Sequence, residues 1–174
     1  MNAAKYILAA LIIAVVTHVA LIHAAPRVLM EVAFDRVSAE GANTWRLADR
    51  VTPLSRAIVR PSPDFAYSAC AYDLSDGPLT LRVPPWHSYW SLSLYAANSD
   101  NYFVIDDREA RRGAEITLVR AGRTAPEDAP RVVRSPSARG IALIRRLAPT
   151  LDEYDRASEV ARGDVCAAFT PAAQ

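Results

Sequence analysis

Between Phe65 and Asp106 the chain alternates apolar and polar residues with a period of two, and this pattern limits the fold more than any other feature of the sequence. Leu79, Leu81 and Val83 alternate with Thr80 and Arg82, and Trp90, Leu92 and Leu94 alternate with Ser91 and Ser93. That is the spacing of strands with one buried and one wet face. Asp76-Gly77-Pro78 turns the chain into the first strand, and Pro84-Pro85 ends it because proline cannot donate to a ladder. Asn98-Ser99-Asp100-Asn101 turns the second strand into Tyr102 to Asp106, and a meander is the economical topology. Phe65 to Asp73 reads as a further strand, with Tyr67, Ala69 and Ala71 on one face and Ser68, Cys70 and Tyr72 on the other.

Tyr6 to Ala25 constrains the other end of the chain. The run has 20 residues, ten of them Ile, Leu or Val, and no formal charge, enough at 1.5 Å per residue to cross a hydrocarbon core of roughly 30 Å. Those ten side chains favour insertion by roughly 3 to 6 kcal/mol. A cleaved signal is the rival to an uncleaved anchor, although a cut after Ala25 would place His23 where a small residue is preferred. His18 and His23 are offset by about 140° around one helix, so they cannot chelate one metal from it. They read as neutral imidazoles facing a partner helix or the interface.

Pro26 to Ser38 reads as a second, amphipathic helix through Val28, Leu29, Val32, Ala33 and Val37. Asn43 or Thr44 is placed to cap a short third helix through Trp45, Leu47, Ala48 and Val51, and Pro53 to Pro63 reads as an extended lead-in. Beyond the alternating stretch, Glu115 to Arg120 and Gly140 to Arg146 read as strands, and Arg131 to Arg134 as a short edge strand. Thr150 and Glu153 form a capping box for a helix from about Leu151 to Arg162, with Leu151, Tyr154, Ala157 and Ala161 inward. Thr170 to Gln174 reads as a frayed end. The expected fold is therefore α+β and mainly β: a transmembrane helix, then an antiparallel sheet or sandwich-like domain with a C-terminal helix. The corresponding division is a membrane anchor over 1–25, a helical linker over 26–56 and a β-rich domain over 57–174.

Chemistry is harder to find. Outside the apolar run the chain carries 19 arginines against 19 acids, which excludes the electrostatic footprint of a nucleic-acid binder. There is no phosphate loop, metal-ligand motif or nucleophile elbow, and no cofactor or metal is expected. His87, the one histidine beyond the apolar run, lies in the turn Pro84-Pro85-Trp86-His87-Ser88 and reads as a solvated turn residue more readily than as a general base. Asp106, Asp107 and Glu109 stand beside Arg108, Arg111 and Arg112, which makes a self-neutralising loop the plainer reading. The core aromatics read as packing, with a ligand-lined interior as the alternative. Arg60, Asp64, Tyr67, His87 and Asp106 are the candidate ligand-binding rim, because they sit where the loops at strand ends converge.

The order Arg60, Asp64, Tyr67-Ser68, Asp73-Leu74 and Gly77-Pro78, followed by a proline-ended strand and an aromatic-rich strand, resembles the bacterial family called domain of unknown function 1254. Longer members carry Asn-Arg-Asp-Thr-Leu-Tyr-Ser where this chain has Ser62 to Ser68, so only Asp64, Tyr67 and Ser68 carry over. The resemblance implies a β-rich sandwich-like domain, and its short members look like membrane-anchored proteins without an assigned reaction. It also implies a partner, since long members join this domain to a second one, numbered 1214.

The leading functional expectation is a non-enzymatic envelope protein in the bacterial inner membrane, single-pass, acting through another protein. The alternative is an enzyme or binding protein for a small apolar or carboxylated ligand, with Arg60 as anion clamp and His87 or Asp64 as acid or base. Two cysteines bear on topology. A pair such as Cys70 and Cys166 persists as a disulfide in the periplasm and stays reduced in the cytosol. A Cys70–Cys166 bridge, with a cytosolic amino terminus and a periplasmic domain, is expected against the reading of two buried thiols acting as small hydrophobes.

Overall fold

A computed structural model describes residues 3–56 and 60–171. The expected domain boundary at residue 57, part of the Pro53 to Pro63 lead-in and the frayed end at 172–174 lie outside the described residues. The chain begins with one helix, α1 (Ala3–Val37), so the two helices expected around Pro26 are one. Proline removes a single N–H from the ladder, and beside it the Arg27 side chain donates to the His23 carbonyl at 2.6 Å.

A β-sandwich follows. Its strands are β1 (Trp45–Leu47), β2 (Phe65–Asp73), β3 (Leu79–Val83), β4 (Trp90–Ala96), β5 (Asn101–Asp106), β6 (Ala114–Arg120), β7 (Val132–Ser135), β8 (Arg139–Leu147) and β9 (Val165–Ala168), with helix α2 (Leu151–Ala161) before β9. One sheet has the order β1-β2-β8-β4-β5 and the other β7-β6-β3-β9. All pairs are antiparallel except β6 and β7. The mainly β fold with a C-terminal helix is as the sequence indicates.

Three local expectations are overturned. The third helix is the strand β1, because Asn43 caps a strand instead of a helix: at φ 59° its side chain accepts from the Asp73 N–H at 2.7 Å and donates to the Asp73 carbonyl at 3.1 Å. The meander is replaced by a crossing, since β3 lies in the second sheet and β4 in the first, with Pro84 to Tyr89 bridging them. The serine face of β4 is not wet. Ser91 and Ser93 are buried because Arg145 and Leu143 on one neighbour and Asp106 and Val104 on the other flank them with longer side chains.

The capping box of α2 is present, with the Thr150 hydroxyl accepting from the Glu153 N–H and the Glu153 carboxylate from the Thr150 N–H. Ala157 is buried beneath it, but Leu151 is exposed rather than inward, because six residues of helix place it about 120° around the axis from Ala157.

Between the sheets the first layer contributes its side chains in registered rows. Ala66, Arg146 and Trp90 form one row, then Ser68, Ile144 and Leu92, then Cys70, Ala142 and Leu94, then Tyr72, Gly140 and Ala96. Cys70 is bonded to Cys166 of β9, with Cα atoms 6.7 Å apart. The expected bridge is thus made, closing a loop across a sequence separation of 96, which the chain-entropy model credits with roughly 4 to 5 kcal/mol.

Candidate functional site

The registers bring four strand termini to one end of the first sheet. Phe65 pairs with Leu147, Trp90 with Arg146 and Ser91 with Asp106, so the loops carrying Asp64, His87 and Asp106 converge there. Backbone bonds tie them: Ala148 N–H to the Asp64 carbonyl at 2.8 Å, Leu147 N–H to the Tyr89 carbonyl at 2.9 Å and Asp107 N–H to the Trp90 carbonyl at 3.1 Å. The Trp86 indole N–H closes the set on the Leu147 carbonyl at 3.1 Å.

The side chains of the expected rim do different things. Arg60 is exposed and lines a small cleft with Val51, Pro53, Arg56 and Pro63, which includes none of the other four. Asp64 is exposed. The Tyr67 hydroxyl accepts from the Ser62 N–H at 2.9 Å, and its ring leans on Phe65 with centroids 6.2 Å apart. His87 is exposed, its ring 4.1 Å from that of Trp86. The Asp106 carboxylate accepts from the Arg108 N–H at 2.9 Å and the Glu109 N–H at 3.4 Å, which commits it to shaping its own turn.

Beneath this end lies a pair that sequence reasoning missed. Arg146 donates to both oxygens of Asp164, at 3.0 and 2.5 Å, and the two side chains are 1% and 0% exposed. Burial raises the Asp164 carboxyl above its ordinary value, against the opposing bond and charge of Arg146 and the hydroxyl of Ser68. Arg146 Nε and Trp90 Nε1, neighbours in one row, are buried without partners among the described residues. The signal was available: Arg146 occupies the inward period of β8 after Gly140, Ala142 and Ile144. Closed from solvent, the pair fastens the segment after α2 to the first sheet.

The opposite end of the interior is polar but neutral. The Tyr72 hydroxyl donates to the Tyr95 carbonyl at 2.9 Å and meets the hydroxyls of Tyr102 and Ser135 at 3.0 and 3.1 Å. Burial pushes both phenols above their ordinary range. Gly140 makes the room, since a Cβ there would lie 2.2 Å from the Tyr72 hydroxyl oxygen and 2.1 Å from the Tyr95 carbonyl oxygen.

The family described as protein of unknown function (DUF1254) matches residues 42–167. No curated protein matches the chain. Among solved structures, the VPA0106 protein from Vibrio parahaemolyticus is similar with a TM-score of 0.64 and 15% identity, over 86% of this chain and 37% of that one. A putative uncharacterized protein from Burkholderia cenocepacia aligns with a TM-score of 0.44 and 18% identity, over 66% of this chain and 33% of that one. The chain thus spans about a third of the length of the solved structures it matches.

Proposed function

We propose, from the premise that the chain belongs to the DUF1254 family of proteins of unknown function, that it is a membrane-anchored envelope protein that acts by associating with a partner protein. The observation that carries this reading is the 35-residue helix α1. Its apolar run is exposed along its whole length, while its last turns pack on the sandwich through the buried Phe34. A helix with that division joins an apolar medium to a folded domain without a flexible joint.

In this reading α1 is a single-pass anchor in a bacterial inner membrane, with the amino terminus in the cytosol and the sandwich in the periplasm. The Cys70–Cys166 bridge supports the oxidising side. The partner is a chain carrying the domain of unknown function 1214. The length of the Vibrio relative, of which the shared fold is 37%, supports a sandwich that works beside further protein.

The test is affinity capture of the full chain from detergent-solubilised membranes after carbonate washing. Recovery of a second chain carrying the 1214 domain is the expected result. Recovery of self-copies alone would count against the partner, and a mature amino terminus at Pro26 would replace the anchor with a cleaved signal.

A further inference from the structure

Moving up α1 beyond its apolar run also moves across the first sheet. The Pro26 carbonyl accepts from the Ser99 hydroxyl at 2.7 Å, at the β4–β5 turn. Arg27 and Glu31 line a groove with Ala96, Asn98 and Ser137. The Arg139 guanidinium, at the start of β8, lies 5.5 Å from the centre of the Phe34 ring. Past the helix, the Asn43 N–H reaches the Ala71 carbonyl of β2 at 2.8 Å. From Pro26 to Phe34 the helix rises about 12 Å, and from β5 to β8, where Arg139 meets Phe34, is two strand spacings, about 10 Å. The strands therefore run crosswise to the helix, and the β5 edge of the sheet is the one nearest Ala25. The second sheet follows the first. The disulfide holds β9 under β2, and Arg131, 5.6 Å from the centre of the Phe103 ring, holds β7 under β5.

We propose that the β5–β7 edge of the sandwich rests on the phosphate headgroups of the bilayer that α1 crosses, an inference that depends on α1 being a span. Among the described residues outside α1, few large apolar side chains are exposed, and two of them, Val104 at 50% and Val132 at 37%, lie on these two edge strands. Arg108, Arg131 and Arg134 are exposed beside them, and Arg111 and Arg112 line the adjoining groove. Asp106, Asp107, Glu109 and Glu115 stand near these five arginines, and Glu109 meets Arg131 at 3.5 Å, so the patch keeps an excess of one positive charge and its contact with phosphate is made by individual guanidinium groups. A guanidinium pairs with phosphate through its planar fork, and valines between such pairs sit at the apolar boundary of the headgroups. The same placement handles an aggregation hazard. Tyr102 to Ile105 is an edge run without charge or proline, and a bilayer beside it keeps other strands away while headgroup water satisfies its backbone.

Hydrogen exchange of the full chain in lipid nanodiscs tests this, comparing discs of phosphatidylcholine with discs that also contain phosphatidylglycerol. With the anionic lipid, β5 and β7 amides are expected to exchange roughly fivefold more slowly. The double variant Arg131→Glu, Arg134→Glu should lose that difference while α1 and α2 keep their protection, which shows that the fold is intact. Equal exchange in the two discs, or protection that survives the double variant, overturns the proposal. Protection that grows with the number of chains per disc assigns the edge to a second copy and also overturns it. Unprotected α1 amides in both discs would instead break the span, and this proposal with it.

Discussion

At one end of the sandwich interior Arg146 and Asp164 are buried as an ion pair, while at the other Tyr72, Tyr102 and Ser135 are buried as neutral hydroxyls. Both clusters tie remote segments to the first sheet. The ion pair holds the stretch between α2 and β9, and the phenols join β2 to β5 and β7. They differ in how they fail. A neutral hydroxyl that loses one of three partners keeps the others, whereas a buried guanidinium that loses its carboxylate is left as an uncompensated charge. The charged end is therefore an all-or-nothing fastening, and the phenolic end yields in steps.

The largest expected effect follows from that difference. Asp164→Ala should cost on the order of 3 to 5 kcal/mol, read as a fall in the denaturation midpoint of the detergent-solubilised chain. Replacing the pair together, with Arg146→Met and Asp164→Leu, should recover most of the loss, because two apolar side chains leave no charge to strand. A cost below about 1 kcal/mol for Asp164→Ala, the value of an exposed pair, would erase the contrast between the two ends.

What the sequence made legible was periodicity. The extents of β2, β3 and β4 and the Thr150–Glu153 box follow from patterns within a few residues of one another. What escaped depends on partners far along the chain. Leu79 to Val83 reads as a strand from its own alternation, but nothing local says that it joins Cys166 and Ile116 instead of Trp90. Asn43 offers the same side chain to a helix start or a strand end, and Asp73, thirty residues away, decides between them. Pro26 reads as the start of a second helix, since proline suits a first helical position, and is carried within α1. Of the expected rim, the loops of Asp64, His87 and Asp106 do meet, while Arg60 lines a separate cleft. The hydrogen bonds of Asp106 and Tyr67 are spent on their own loops. Arg146 was hidden by habit, because an arginine in a strand is usually assigned to the wet face.

A smaller effect probes how tightly the phenolic end is built. Gly140→Ala adds a methyl group where the Tyr95 carbonyl and the Tyr72 hydroxyl already sit, and should cost about 1 to 3 kcal/mol of overpacking. Adding Tyr72→Phe should leave most of that penalty in place, because the nearer obstacle is backbone at 2.1 Å. Full relief by the phenylalanine would show that the hydroxyl alone sets the spacing of β4 and β8. The interior would then yield at its side chains and not at its ladder.

The smallest effect at neutral pH separates the ends by titration. Burial raises the Tyr72 and Tyr102 hydroxyls, so the folded chain keeps their protons to higher pH than the unfolded chain, in which tyrosine titrates near 10. The folded state binds more protons in that window, so stability falls as pH rises. Their contribution is complete below about pH 10 and is lost progressively above it. Tyr102→Phe should cost about 1 kcal/mol at pH 7, the worth of one hydrogen bond, yet flatten the alkaline decline. Denaturation midpoints across the alkaline range decide the matter. A decline as steep in the variant as in the parent would mean that Tyr102 keeps its ordinary titration in the folded state, and the phenolic end would then be wet.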